Sequence, residues 1–163
     1  MTRQIHPTAV VDRSAELADD VVVGPHAIIE ADVTIGAGSE IRAGAVIRRY
    51  TTLGEGNLVD HHAVLGGEPQ DVKFDLGSET FVRIGKDCVF REHVTVSRAT
   101  TPGGATVIGD GCYFMAAAHV GHDSRIADGV TMINGSAIGG HAEVGRRAML
   151  SALSRAVGLS TVP

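Results

Sequence analysis

An aliphatic residue stands at every sixth position from Ile5 through Val11, Leu17, Val23, Ile29, Ile35, Ile41, Ile47, Leu53 and Val59 to Leu65. Four places after each comes Ala9, Ala15, Val21, Ala27, Val33, Ser39, Ala45, Thr51, Asn57, Ala63 and then Pro69, nearly all small. An α-helix cannot keep such a period on one face, because six residues turn it by about 600°, roughly 240° net. Short strands joined by tight turns can keep it. The aliphatic then fills an interior corner, the small residue sits where space runs out, and the glycines one place after the aliphatic (Gly24, Gly36, Gly54, Gly66) suit the turns. The period predicts an all-β solenoid whose coils pair at about 4.8 Å. Each buried aliphatic contributes roughly 1.5–3 kcal/mol, so stability accrues coil by coil.

The ladder breaks twice. The stretch "GGEPQDVKFDLGSETFVR" displaces it between about Gly66 and Arg83, and Ile84, Phe90 and Val96 restore it. The stretch "RATTPGGAT" displaces it again, before Ile108, Phe114, Val120, Ile126, Met132, Ile138, Val144 and Leu150. Both breaks read as loops extruded from a rigid scaffold, the places where binding residues are commonly carried. Coils are therefore expected from about Ile5 to Leu150.

The composition agrees with one solenoid domain over residues 1–163. Apolar residues make up 44% of the chain but aromatics only 4%, with no Trp, so the core must be stacked aliphatics. A net charge of −5 argues against general nucleic-acid binding. The start "MTRQIHPTAV" has no apolar leader core, and no window approaches the 18 or so apolar residues of a spanning helix. The expected location is the cytoplasm. Cys88 and Cys112 make no metal or redox motif and fall at the small interior position, so both are expected to be packing residues.

The stretch from Phe114 to Val144 sets His119, His122, Asp123 and His141 on a background of small and apolar residues. Its hexads resemble those of the hexapeptide-repeat acyltransferases, which implies a left-handed parallel β-helix with three hexads per triangular coil. The hand comes from the resemblance, since the general rule for parallel crossovers favours the right hand. Within that superfamily "IHPTAVV", "GEPQDVKF", "VRIGKDCVFREHVTVSRAT" and "AHVGHDSRI" followed by "IGGHAEVG" resemble the acyl-ACP–UDP-N-acetylglucosamine O-acyltransferases, which begin lipid A biosynthesis. The resemblance implies a homotrimer with sites between subunits. It further implies transfer of a 3-hydroxyacyl chain from acyl carrier protein to the 3-hydroxyl of UDP-N-acetylglucosamine, with no cofactor.

On an 18-residue coil, Asp123 and His141 stack on one face in successive coils, as do His122 and Gly140. A carboxylate beside an imidazole favours the protonated ring and can fix its tautomer, which suits a general base accepting a sugar hydroxyl proton. By resemblance His122 is that base, Asp123 its partner and the Gly140 N–H the oxyanion donor. His119 and His141 line the pocket, and "QDVK" carries substrate contacts at Gln70, Asp71 and Lys73, where an amide and a cation suit a sugar with an anionic diphosphate.

The chain departs from the family pattern at three points. Ser97 stands where the family usually has His before "RAT", and Val157 lies near the place of another pocket histidine. Family members also continue into further coils and a helical C-terminal domain, so a truncated member is expected. The alternatives are a non-catalytic hexapeptide-repeat subunit, an acyl-CoA-dependent relative, or a relative of the γ-type carbonic anhydrases. The last family spaces two zinc histidines five apart; here His119 and His122 are three apart and His141 is nineteen further on, so no metal is expected. His6, His26, His61 and His62 read as solvated turn residues, with Gly44 between His26 and His62 in one column. His93 has no assigned role.

Overall fold

The computed structural model describes residues 2–156 and 161–162. Twenty-four strands, most of only two residues, run from Gln4–Ile5 to Thr161–Val162. They form three parallel eight-stranded sheets, each taking every third strand. The first sheet begins with Gln4–Ile5, the second with Val10–Val11 and the third with Glu16–Leu17. Three strands therefore make one coil of a triangular prism. Gln4 pairs with Val22, Val10 with Ile28 and Glu16 with Thr34, each 18 positions on.

The six-residue period sets the strand length. From Leu17 to Leu150 the aliphatic of each hexad points inward and is buried, as Ile29, Ile35, Ile41 and Ile47 are, and its predecessor points outward. Phe90 and Phe114 fill the interior in adjacent coils, with stacked rings 4.8 Å apart. Cys88 and Cys112 are buried among them, each thiol pointing at a backbone carbonyl, as expected of packing residues. Asn57 is one of several polar residues in the small interior position, with Ser39 and Thr51. Its amide donates to the carbonyls of Gly54 and Gly85, and its Oδ1 accepts from the Cys88 N–H, so it is fully employed.

The turn glycines work differently from the sequence expectation. The left-handed residue lies three places after the aliphatic, where His26, Tyr50, His62, Asp123 and His141 all have φ near +60°. Of the glycines one place after the aliphatic, Gly66 has a φ of +85°, whereas Gly36, Gly54 and Gly121 are required by crowding between coils. A Cβ on Gly121 would lie 2.7 Å from the carbonyl carbon of Gly139 and the nitrogen of Gly140.

Two coils are longer. Leu58 pairs with Val89, 31 positions on, and Val89 with Tyr113, 24 on, so the excesses over 18 are 13 and 6 residues. They leave as loops 68–80 and 98–104. The first is shorter than the sequence reading because pairing holds through Gly67 and resumes at Phe81. Both loops leave at the corner between the second and third sheets. Gly121–Asp123 and Gly139–His141 turn that same corner in the next two coils. Among the described residues no helix is long and apolar enough to cross a membrane.

Candidate active site

Asp123 and His141 occupy the same left-handed corner position one coil apart, which aims both side chains at one groove. His122 Nδ1 lies 2.9 Å from Asp123 Oδ2, and His141 Nε2 lies 3.7 Å from the same oxygen. The two imidazoles meet edge to face at 5.1 Å. Side-chain exposure falls from 55% at His141 to 21% at His122 and 13% at Asp123, so the carboxylate is the sheltered member.

Loop 98–104 locks that carboxylate. The Thr100 N–H and hydroxyl both donate to Asp123 Oδ2, at 3.0 and 2.7 Å, while the Asp123 N–H donates to Thr106 Oγ1 at 2.8 Å. Burial pushes the Asp123 carboxyl up, but the Thr100 and His122 hydrogen bonds and the charge of His141 outweigh it, and the group sits below the usual carboxylate range. An ionised Asp123 accepts a hydrogen bond from His122 Nδ1–H, which leaves Nε2 with its lone pair. Gly140 faces this ring: a Cβ there would come within 2.5 Å of Nε2 and 2.9 Å of Nδ1. Glycine is required at that position by the imidazole and not by backbone conformation.

His119 points outward from its strand, its Nδ1 2.8 Å from Thr95 Oγ1. Burial, then the neighbouring His122, hold its titration below the usual imidazole range, so it is neutral at pH 7. A pocket of about 330 Å³ opens beside the cluster, lined by Thr101, Gly104, Ala105, Asp123, Arg125, His141 and Glu143.

Loop 68–80 leaves the same corner nearer the chain's start. Gln70, Asp71 and Lys73 are exposed there. Asp71 is used by the turn itself: its Oδ1 accepts the Lys73 N–H at 2.9 Å and its carbonyl the Phe74 N–H at 2.9 Å. Among the described residues no hydrogen bond or ion pair joins Gln70, Asp71 or Lys73 to the His122 cluster. The link runs through loop 98–104, where Gly103 N–H donates to the Glu79 carbonyl at 2.9 Å and Phe81 N–H to the Gly104 carbonyl at 2.9 Å.

The sequence reading missed Thr100 and Thr106. Both lie in the second break of the ladder, and only the "RAT" motif signalled Thr100. Ser97, in place of the family histidine, is buried and pairs with Gly67. Val157 lies outside the described residues. His6, His26, His61 and His62 are exposed, as expected, yet three of them have partners; His6 Nδ1 accepts the Thr8 N–H at 3.2 Å. His61 lies 2.6 Å from the buried Asp60, and His62 stacks on His93 at 5.5 Å because the long coil sets those turns side by side.

His122, Asp123 and His141 also place donor atoms within 4.8 Å of one another, a set that could hold a cation. The arrangement is better employed as a hydrogen-bonded relay, since one Asp123 oxygen already receives His122 and two Thr100 protons.

Stacked hexads with a polar cluster at one prism corner define a left-handed parallel β-helix of the hexapeptide-repeat transferase class. A family model described as bacterial transferase hexapeptide (six repeats) matches residues 14–49. The chain is 48% identical over 138 residues to an acyl-acyl-carrier-protein–UDP-N-acetylglucosamine O-acyltransferase of Syntrophobacter fumaroxidans, covering 84% of this chain and 53% of the relative. The protein of the same name from Stenotrophomonas maltophilia is 44% identical over 154 residues, covering 94% and 58%. Among solved structures, LpxA from Acinetobacter baumannii superposes with a TM-score of 0.88 at 32% identity, covering 98% of this chain and 66% of that one. The chain belongs to the acyl-ACP–UDP-N-acetylglucosamine O-acyltransferase family. It spans about half the length of the curated relatives it matches.

Proposed function

We propose that this chain carries the general-base half of an O-acyltransferase site that moves a 3-hydroxyacyl group from acyl carrier protein to the 3-hydroxyl of UDP-N-acetylglucosamine, opening lipid A biosynthesis in the cytoplasm. One observation carries the reading: the 2.9 Å His122–Asp123 pair, fixed by Thr100 and faced by a residue without a side chain. His122 Nε2 takes the hydroxyl proton as the sugar oxygen attacks the thioester carbonyl. The Gly140 N–H stabilises the oxyanion of the tetrahedral intermediate. Collapse breaks the carbon–sulfur bond, and the carrier thiolate leaves with the proton from the imidazolium. Asp123 stabilises that imidazolium while it exists. His119 and His141 line the pocket, and Gln70 and Lys73 hold the sugar nucleotide, with Asp71 shaping their turn.

The working assembly is a homotrimer with the site between subunits. Supporting this, the outer face of the second sheet carries an apolar row, Val10, Ile28, Val46 and Val64, continuing to Thr95 and His119. Val10 is 62% exposed and Ile28 39%. The same outer positions of the third sheet are Glu16, Thr34, Thr52 and Arg83. The substrate assignment is tested by supplying 3-hydroxyacyl carrier protein or 3-hydroxyacyl-CoA with UDP-N-acetylglucosamine, using this chain and any longer parent. Ester at the sugar 3-hydroxyl from the carrier donor is expected. Transfer from the CoA donor alone would replace the donor assignment.

A further inference from the structure

The guanidinium of Arg98 is the buried cation that neither the base nor the pocket uses. The residue is only 3% exposed, and among the described residues no carboxylate forms an ion pair with it. The nearby Glu68 is engaged by Arg48 at 3.0 Å. Burying a guanidinium without a counterion is costly unless its protons and its flat face are otherwise matched. Here Nη1 donates to the Ser78 carbonyl at 3.4 Å, and the group lies 5.2 Å from the ring of Phe74 and 5.7 Å from that of Tyr50. Tyr50 belongs to a coil corner and is further fixed by the Phe81 ring at 5.7 Å and the Arg49 guanidinium at 4.5 Å. Phe74 and Ser78 belong to loop 68–80, and Phe74 follows Lys73 directly.

We propose that Arg98 is a positioning residue that rivets loop 68–80 to the coil, fixing the turn that presents Gln70 and Lys73. Its planar, permanently charged group fills the gap between one ring of the scaffold and one ring of the loop, and a carbonyl of the loop turns toward it. Two residues along the same short loop, Thr100 holds Asp123. Loop 98–104 thus grips the substrate loop with one residue and the catalytic carboxylate with another, setting the distance between sugar-binding and proton-accepting parts.

The kinetic half of this inference rests on loop 68–80 being the sugar-nucleotide loop; the structural half does not. The test is hydrogen exchange of the amides of residues 70–78 in the purified chain, comparing the parent with Arg98→Ala, Arg98→Lys and Phe74→Ala. Arg98→Ala and Phe74→Ala are expected to speed exchange about tenfold there, with the distant strands Val22–Val23 and Thr131–Met132 unchanged. Lysine, lacking the flat group, should leave the loop fast. Should Arg98→Ala fail to fold, Phe74→Ala decides, because it removes only the loop's side of the contact. Unchanged exchange in Phe74→Ala, or in a folded Arg98→Ala, overturns the proposal. In an active form the same variants should raise KM for the sugar nucleotide about tenfold with kcat within a few-fold. Fast exchange with unchanged KM would remove the sugar-nucleotide role of the loop and leave the rivet standing.

Discussion

Thr100 and Asp123 meet through two protons on one oxygen: amide and hydroxyl of the threonine both donate to Oδ2, at 3.0 and 2.7 Å, beside the His122 ring. This is how an imidazole on a solenoid corner acquires a fixed partner without a buried cleft, because a loop inserted one coil earlier folds back over the carboxylate.

Removing the hydroxyl in Thr100→Val should cost about 1.5–3 kcal/mol, the usual worth of a hydrogen bond to a charged group. The pH dependence follows from the lowered Asp123 carboxyl. A depressed carboxyl stabilises the fold above the ordinary carboxylate pKa of about 3.9, and that stabilisation is lost as pH falls through the depressed value. Thr100→Val should therefore move the acid-unfolding midpoint upward, and Thr100→Ser should restore it. Circular dichroism against pH checks both; an unmoved midpoint would contradict the assigned bond.

Gly140→Ala separates geometry from backbone. Its φ is not among the left-handed values, so alanine is conformationally acceptable, but the new methyl falls on the His122 imidazole. The expected outcome is an unchanged β-sheet spectrum with kcat lower by about 10²–10³-fold. Near-normal turnover would place the reacting ring elsewhere.

The six-residue ladder announced the coils from Leu17 onward almost residue for residue, because an inward side chain at every sixth position leaves no other fold open. The stacking of Asp123 on His141 was legible for the same reason, since the 18-residue coil holds there. The hydrogen bond from Thr100 to Asp123 was not legible. Thr100 lies in a loop where periodicity ends, and its partner is 23 positions away across a fold-back that no repeat encodes. The His62–His93 stack was hidden likewise, because the long coil places those turns together at a spacing of 31, where an 18-residue step lands on no histidine.

Metal content distinguishes the relay from a ligand cage. Purified protein should carry well under one zinc per chain by elemental analysis, and chelator should leave acyl transfer unchanged. About one zinc per chain, lost in His122→Ala or His141→Ala, would convert the site into a metal centre.

The outer face of the second sheet supplies a test of assembly. Val10→Asp combined with Ile28→Asp should shift the protein from trimer to monomer in light scattering, each buried aliphatic being worth roughly 1.5–3 kcal/mol. Thr34→Asp on the third sheet should leave the mass unchanged. A monomeric parent would refute the arrangement.

The central claim is that His122 removes the proton from the sugar hydroxyl, and turnover of His122→Ala tests it most directly. In transfer of a 3-hydroxyacyl group from acyl carrier protein to UDP-N-acetylglucosamine, measured on this chain or a longer parent that is active, kcat should fall by roughly 10²–10⁴-fold. Substrate affinity should change little, because the proton moves only as the carbonyl is attacked. A His122→Ala enzyme with near-normal kcat would contradict the account.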